Sequence, residues 1–513
     1  MVSTTPKPNS FDSSSSSSSS PSMSGLSANV ALLEGDKQAK KALVLLLIEQ
    51  QTDKELCDAL SPGNGPRLPL QIDILSGGLT NYSYRVFCSE TDKYKEGDGV
   101  LFCKLAFSYA LWSPTKEFYD SARAQDEMTS MAHFSSCSSS AVVPCAKPFV
   151  CIDIPNEDKD AGGDSKLLVT EYTTGFDEQL CNQVIEGEVD PRTAQHIGFA
   201  LADLSTSDEQ NALVDFNRYV AEGYEGCFIH IGETLGKVLA DDDDTSDFKN
   251  LLKGSHDVED LVSKIAASYK RRDCLVHNDA HVFNILCEGK PPVEHFANFG
   301  ATGQVRIVDW EQCSYGSIGR DLGILWAFPV ASAINLYRLQ EADDSDKVLK
   351  WIRLTWAHYS SKVRSNLATG RASSSESEID LRLKLALSQS IGWAGTFMLM
   401  MHTMSFHFDL LSEQEDDVAT AEVRSACACL SLLFIDWGFG EEIQSLSTDD
   451  MLTHFVKLVE KARTHLLIRP RVIRRNTRRL SVLRETGRRI SDAGLSQSFA
   501  RKCESAAAGG EWK

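Results

Sequence analysis

The sequence predicts an α+β protein built as two lobes, a small β-rich lobe followed by a larger helical one. Three observations carry this. β-prone runs separated by turn residues crowd the first third: QIDIL (71–75), YSYRVFC (82–88) and GVLFCKLA (99–106). A segment of helical period, FYDSARAQDEMTSMAHF (118–134), follows them. Beyond residue 170 apolar positions recur mostly at helical spacing, apart from short strand-like runs around 274–287 and 305–309.

Composition divides the 513 residues further. Residues 1–36 read as a disordered Ser-rich arm, 37–170 as the N-lobe, 171–461 as the C-lobe and 462–513 as a basic tail. The run ALVLLLI (42–48) is far shorter than the roughly 20 residues a membrane span needs, so it reads as a buried first helix. The opening arm lacks the apolar core of a secretory signal, and no arginine precedes Arg67, which argues against a transit peptide. Cytoplasm is the expected location. Fourteen cysteines without paired CxxC spacing fit a reducing compartment.

The net charge of −20 sets the surface against nucleic acid and anionic lipid. Low-complexity stretches at 135–143, 156–165, 239–247 and 372–378 read as surface loops, and the DDDD run at 241–244 as a solvated one. The tail is different: 13 Lys+Arg stand against 4 Asp+Glu, a net of +9 on a body that therefore carries −29. It holds RRLS (478–481) and RRIS (488–491), so Ser481 and Ser491 are candidate sites for a basophilic protein kinase. An extended arm lying on the acidic body is the plainer alternative. Homodimerisation stays open.

Four pieces carry chemistry, in order. ILSGGLTNYSYRV (74–86) sets Gly77 and Gly78 between strands, where backbone N–H groups can approach a phosphate. VLFCKLA places Lys104 at the end of an apolar strand. A nucleotide kinase needs such a lysine for the phosphates, oriented by a helix glutamate; Glu127 is the candidate, with Glu117 if the register slips. LVHNDAHVFNIL (275–286) sets Asp279 five residues before Asn284, the spacing at which one side chain accepts a hydroxyl proton and the other holds Mg2+. Short polar residues bracketed by CLV and ILC suit a chain that leaves a strand, turns sharply and returns.

The fourth piece, VRIVDWEQ (305–312), ends a strand on Asp309, able to reach a metal bridging nucleotide phosphates, with Glu311 on the same side of an extended chain. The order lysine, HxDxxxxN, DxE is far more specific than any member alone. It predicts ATP and Mg2+ as cofactors and a small hydroxyl-bearing acceptor. A zinc site is the rival, because His277 and His281 have i, i+4 spacing, yet a strand precedes them and no glutamate follows His277.

These residues are identified with a known superfamily. HNDAHVFNIL with IVDWEQCSYGSIGRDLG resembles the aminoglycoside phosphotransferase and choline kinase superfamily, and within it most closely the methylthioribose kinases. The resemblance extends over roughly residues 70–440, through ARAQDEMTSM, LLVTEYTT, VIEGEVDPRTAQHIGFALADLSTSD and GWAGTFMLMMH (392–402). It implies a bilobal protein-kinase-like fold, with Asp279 as catalytic base and Asp309 and Glu311 as metal ligands. It also implies Lys104 as the phosphate lysine, Glu171 and Tyr172 at an adenine-binding hinge, and Asp321 bracing the loop from below. HND, Asn284 and GGLTN (77–81) are closer to choline kinases, and Met400 and Met401 stand where methylthioribose kinases carry two arginines near the sugar.

The implied activity is therefore ATP-dependent phosphorylation of methylthioribose, in methionine salvage. Choline or ethanolamine is the alternative acceptor, with Trp310, Trp326 and Trp393 either lining a cation site or packing the core. A nucleotide-binding pseudokinase scaffold is the second alternative. A protein kinase is disfavoured, since no Asp-Phe-Gly or Ala-Pro-Glu follows the loop.

Overall fold

A computed structural model describes residues 37–38, 40–60, 69–75, 81–88, 100–108, 120–137, 145–155, 164–173, 175–176, 178–207, 231–237, 239–240, 249, 258–288, 302–369, 374–404 and 417–465. Gly77, Gly78, Glu117, the arm, the acidic run 241–244, Ser481 and Ser491 lie outside the described residues.

The first lobe is one antiparallel sheet of β1 (Leu70–Leu75), β2 (Asn81–Cys88), β3 (Val100–Ala106), β4 (Pro148–Ile154) and β5 (Ser165–Glu171), in the order β1-β2-β3-β5-β4. Period-two alternation sorts its side chains. Tyr82, Tyr84, Val86, Leu101, Cys103, Leu105, Leu167 and Val169 pack on one face in a core shared with helices α1 (40–49) and α2 (Lys54–Leu60). Val44 and Ile48 of α1 enter that core, whereas Leu46 stays 50% exposed, so the expected buried helix is buried on one face only.

The same alternation turns Lys104 to the other face. It pairs across to Ser83 of β2 and Leu168 of β5. The sequence suggested the end of a strand, where a lysine ordinarily meets water; the sheet order makes β3 central and leaves Lys104 6% exposed. Helix α3 (Arg123–Cys137) packs beneath this face, beginning five residues later than its apolar period suggests and continuing through 135–137, which read as loop.

The second lobe begins with the short strand β6 (Glu178–Gln179), α4 (Leu180–Glu186) and α5 (Pro191–Thr206). Asp190 caps α5 by accepting from the Arg192 N–H at 2.8 Å, and Pro191 opens it where no donor is lost. Then come α6 (Val258–Tyr269), strands β7 (Cys274–Val276), β8 (Ile285–Cys287), β9 (Val305–Ile307) and β10 (Ser314–Gly316), and five helices: α7 (Arg320–Arg338), α8 (Ala342–Thr369), α9 (Glu376–Met404), α10 (Asp417–Gly438) and α11 (Thr448–His465). Trp310, Trp326, Trp351, Phe434 and Phe455 are buried in one large core. No helix among the described residues is long and apolar enough to cross a membrane. Eleven of the cysteines among the described residues are free thiols.

Two small sheets position the polar motifs. β8 pairs antiparallel with β9, and β7 with β10. The chain thus crosses from one sheet to the other twice, through 277–284 and back through 308–313. The two polar crossings are forced to lie side by side.

Candidate active site

The crossing 277–284 is fixed by main-chain and side-chain bonds to its neighbours. Asp321, near the start of α7, accepts from the backbone N–H groups of His277 (2.7 Å) and Asn278 (2.9 Å). Burial pushes its carboxyl up to about 6 against those two donors. Val308 N–H donates to Asn284 O at 2.9 Å, tying the two crossings together.

His277 is fully buried and its ring is spoken for at both nitrogens. Nε2 lies 3.1 Å from Val308 O, which can only accept, and Nδ1 receives the Asp279 N–H at 3.3 Å. That pairing demands the neutral Nε2–H tautomer. Burial lowers its pKa to about 4, in agreement. A ring so engaged offers no lone pair to zinc, and the i, i+4 histidine pair is not a metal site.

Asn278 stands at φ 68°, a left-handed conformation. Its amide donates to Gln312 O (2.8 Å) and Ser314 Oγ (2.6 Å), and its carbonyl accepts from Arg320 at 2.5 Å. Arg320 lies between the rings of Tyr269 and Trp393, 4.6 and 4.5 Å from their centroids. This turn leaves the Asp279 side chain 25% exposed. Asn284 Nδ2 donates to Asp279 Oδ2 at 3.0 Å, and His281 Nε2 is 3.4 Å from Oδ1. Burial raises the Asp279 carboxyl above its ordinary value, and the Asp309 charge adds to the rise.

The crossing 308–313 supplies the second set. Asp309 also lies at positive φ (66°) and opens the single 3-10 turn Trp310–Gln312, so the expected extended chain from Asp309 to Glu311 is not formed. The turn buries Trp310 against Phe134 of α3, ring centroids 4.9 Å apart, and still sends both carboxylates to Lys104. Lys104 Nζ is 2.7 Å from Glu127 Oε2, 2.5 Å from Asp309 Oδ1 and 2.9 Å from Glu311 Oε2.

Three carboxylates around one ammonium are an unequal group. Burial opposes the charged lysine, but Asp309, Glu127 and Glu311 outweigh it and hold Lys104 well above its usual pKa. Burial and the other two carboxylates push Glu127 up to about 7 despite Lys104. Burial also works against ionised Asp309, whose side chain is 36% exposed; the Lys104 ammonium overrides it and lowers the pKa. Glu127, Asp309 and Glu311 bring oxygens within 4.8 Å of one another.

Lys104, Glu127, Asp279, Asn284, Asp309 and Glu311, drawn from both lobes, therefore converge. Glu171 and Tyr172 sit apart, at the end of β5 where the first lobe passes to the second. The Glu171 N–H donates to Lys147 O at 2.8 Å and the Tyr172 N–H to Val100 O at 3.3 Å. Trp310, Trp326 and Trp393 are 0–2% exposed and pack the core; none lines an open cation site. Met400 and Met401 of α9 are buried as well. Beside Asp279 the wall is aromatic, with His281 5.6 Å from Phe283 and 6.1 Å from Phe397 between ring centroids.

Sequence reasoning missed four residues that organise the site: Asn81, Arg123, Asn278 and Arg320. Asn81 ends GGLTN and Asn278 sits inside HND, both singled out for their resemblance without a role. The two arginines carry no local signal, because the asparagine each one meets, Asn278 for Arg320 and Asn81 for Arg123, is 42 residues away in sequence.

A sequence model described as the phosphotransferase enzyme family matches residues 95–354, just over half of the 513. No curated protein sequence matches the chain. Similar solved structures include an aminoglycoside phosphotransferase from Alicyclobacillus acidocaldarius, 10% identical, covering 79% of this chain and 99% of that chain with a TM-score of 0.39. An ethanolamine kinase of Plasmodium vivax is 12% identical, covering 74% and 84%, with a TM-score of 0.35. A choline/ethanolamine kinase family protein from Mesorhizobium loti is 14% identical, covering 80% and 99%, with a TM-score of 0.34.

Proposed function

This chain belongs to the phosphotransferase enzyme family, and on that premise we propose that it transfers the γ-phosphate of ATP to a hydroxyl of a small polar molecule. The observation that supports this most is the meeting of the Lys104–Glu127 pair with Asp309 across the two lobes, beside a partly exposed Asp279 held by Asn284.

Each residue then has a task. Asp279 accepts the proton of the acceptor hydroxyl as its oxygen bonds to the γ-phosphorus and the bond to the ADP oxygen breaks. The raised pKa of Asp279 makes it a better proton acceptor than an exposed carboxylate. Lys104 leaves Asp309 for the phosphates while Glu127 keeps its ammonium in place. Glu171 and Tyr172 flank the adenine. Asn284, Asp309 and Glu311 are all-oxygen donors, and the lowered pKa of Asp309 keeps it charged at neutral pH, which suits a hard divalent cation. These three residues would hold Mg2+, which when bound would neutralise charge passing between the attacking and leaving oxygens.

For the acceptor, the resemblance along 70–440 favours methylthioribose. A second reading, choline or ethanolamine, is favoured by two observations: Met400 and Met401 bring no charge to a sugar, and the wall beside Asp279 is built of His281, Phe283 and Phe397. Phosphate transfer followed by 31P NMR with Mg-ATP and methylthioribose, choline, ethanolamine and simple pentoses separates them. A new phosphate ester on one of these is expected. Nucleotide binding with no ester on any would point to the scaffold reading and overturn this one.

A further inference from the structure

Glu311 is held from the first lobe by more than Lys104. Asn81, the first residue of β2, donates from Nδ2 to Glu311 Oε2 at 3.1 Å. Its carbonyl accepts from Arg123, the first residue of α3, at 2.8 Å. Arg123 Nε is 3.6 Å from the same Glu311 oxygen. Its guanidinium also donates to two main-chain carbonyls, Phe107 O at 2.8 Å and Asp120 O at 2.9 Å. One planar cation thus joins the end of β3, the turn before α3, the start of β2 and the Asp309–Glu311 turn of the other lobe.

The group is closed to water: Asn81 and Arg123 are each 2% exposed and Glu311 8%. The amide has one workable orientation, since a guanidinium must meet its oxygen and a carboxylate its NH2 group. Charge explains why a second cation is needed. Lys104 faces three carboxylates, and if it turns to phosphate Glu311 loses its nearest positive partner. Buried carboxylates left so are costly. Arg123, relayed through Asn81, remains.

We infer that Asn81 and Arg123 form a latch between the lobes that positions Glu311, and with it the Asp309 turn, while Lys104 is released to the nucleotide. Both act as positioning residues, through Glu311 and not on the substrate. The inference rests on the proposed phosphotransfer and adds how its lysine and carboxylate halves stay in register.

The test is a swap. Asn81→Asp is isosteric, keeps the Arg123 contact and sets a carboxylate against Glu311. Adding Glu311→Gln restores the hydrogen bond in the opposite direction with the same total charge. Misplacement on the ångström scale costs about 100-fold in rate, and a loss of that order in kcat is expected for Asn81→Asp. Because Glu311→Gln itself alters a proposed metal-ligand oxygen, the cost of Asn81→Asp is compared in the two backgrounds. In kcat it should be about tenfold or more smaller beside Glu311→Gln than in the wild type, the range a single restored charged hydrogen bond spans.

Melting temperature and affinity for a fluorescent ADP analogue with Mg2+ are read on the same proteins. A merely structural pair would lower the melting temperature and leave kcat per folded molecule unchanged; that result overturns the latch. So does an Asn81→Asp cost that is equal in the wild-type and Glu311→Gln backgrounds. A wild-type chain that neither binds the analogue nor transfers phosphate removes the underlying function, and the latch with it, whereas an active wild type without coupling between positions 81 and 311 removes the latch only.

Discussion

Asn278 occupies a backbone conformation that costs an L-residue about 1 kcal/mol or more, and it is kept there by bonds to Gln312, Ser314 and Arg320. Asn278→Gly and Asn278→Ala lose the same bonds, but only alanine keeps the strain. The alanine variant should be less stable than the glycine variant by about 1 kcal/mol in urea unfolding, and both should lose kcat because Asp279 follows directly. Equal stability of the two would mean that the turn relaxes away from positive φ.

His277 allows a signed pH prediction. Its folded pKa, about 4, lies below the 6.5 of a free histidine because the buried ring stays neutral. The unfolded chain therefore takes up the proton first on acidification, and stability falls as pH drops from about 6.5 towards 4, by about 3 kcal/mol at full effect. Asp321, raised to about 6, works the other way: its contribution is present below about 4 and lost as pH rises through 6. The two oppose each other between pH 4 and 6. His277→Gln should remove the first slope and leave stability falling with rising pH in that window; an unchanged profile would show that the ring is not neutral in the fold.

At the scale of elements, the approach of α7 to α9 sets where Asp321 sits. A Cβ on Gly319 would lie 2.3 Å from Ala386 O and Ser390 N, and one on Gly323 would lie 2.5 Å from Ser390 O and 2.4 Å from Trp393 Cβ. Those two glycines flank Asp321 and let the helices touch backbone to backbone. Gly323→Ala is expected to destabilise by about 1–3 kcal/mol through overpacking and to lower kcat by moving Asp321 from the loop. Urea unfolding and steady-state rates check both.

The strands that sequence reading found, β1 to β3, have faces sorted by alternation. β4 escaped it because none of its seven residues is buried and its register shifts between Pro148 and Val150, so no alternation marks it. The central place of β3, and with it the burial of Lys104, depends on pairing with β5 more than sixty residues on. Such pairing leaves no trace in a local window. The polar crossings were legible because CLV and ILC bracket one of them, while the 3-10 turn at Trp310 was not, since DWEQ fits an extended chain equally well.

Over the whole molecule, one face of the first lobe's sheet has its own core, whereas Ala106, Leu168 and Phe134 pack into the large core of the second lobe. The lobes meet through that packing, with Phe134 against Trp310, and at the site through polar groups: Lys104, Asn81 and Arg123 from one side, Asp309 and Glu311 from the other. A ligand binding at that seam stabilises both. Mg-ATP at 100 times its Kd should add about 2.7 kcal/mol, seen as a rise in melting temperature. Asp309→Asn should abolish the part of the rise that requires Mg2+; a full rise in that variant would remove Asp309 from the metal site.

The proposed mechanism turns on Asp279 taking the proton of an acceptor hydroxyl. Its most direct test is a single-turnover measurement of γ-phosphate transfer by the wild-type and Asp279→Ala proteins, on the acceptor that the wild type phosphorylates, with nucleotide affinity measured alongside. General base catalysis contributes about 100- to 10,000-fold, so the variant should bind Mg-ATP as the wild type does and transfer phosphate slower by a factor in that range. Transfer at the wild-type rate by Asp279→Ala would contradict the account.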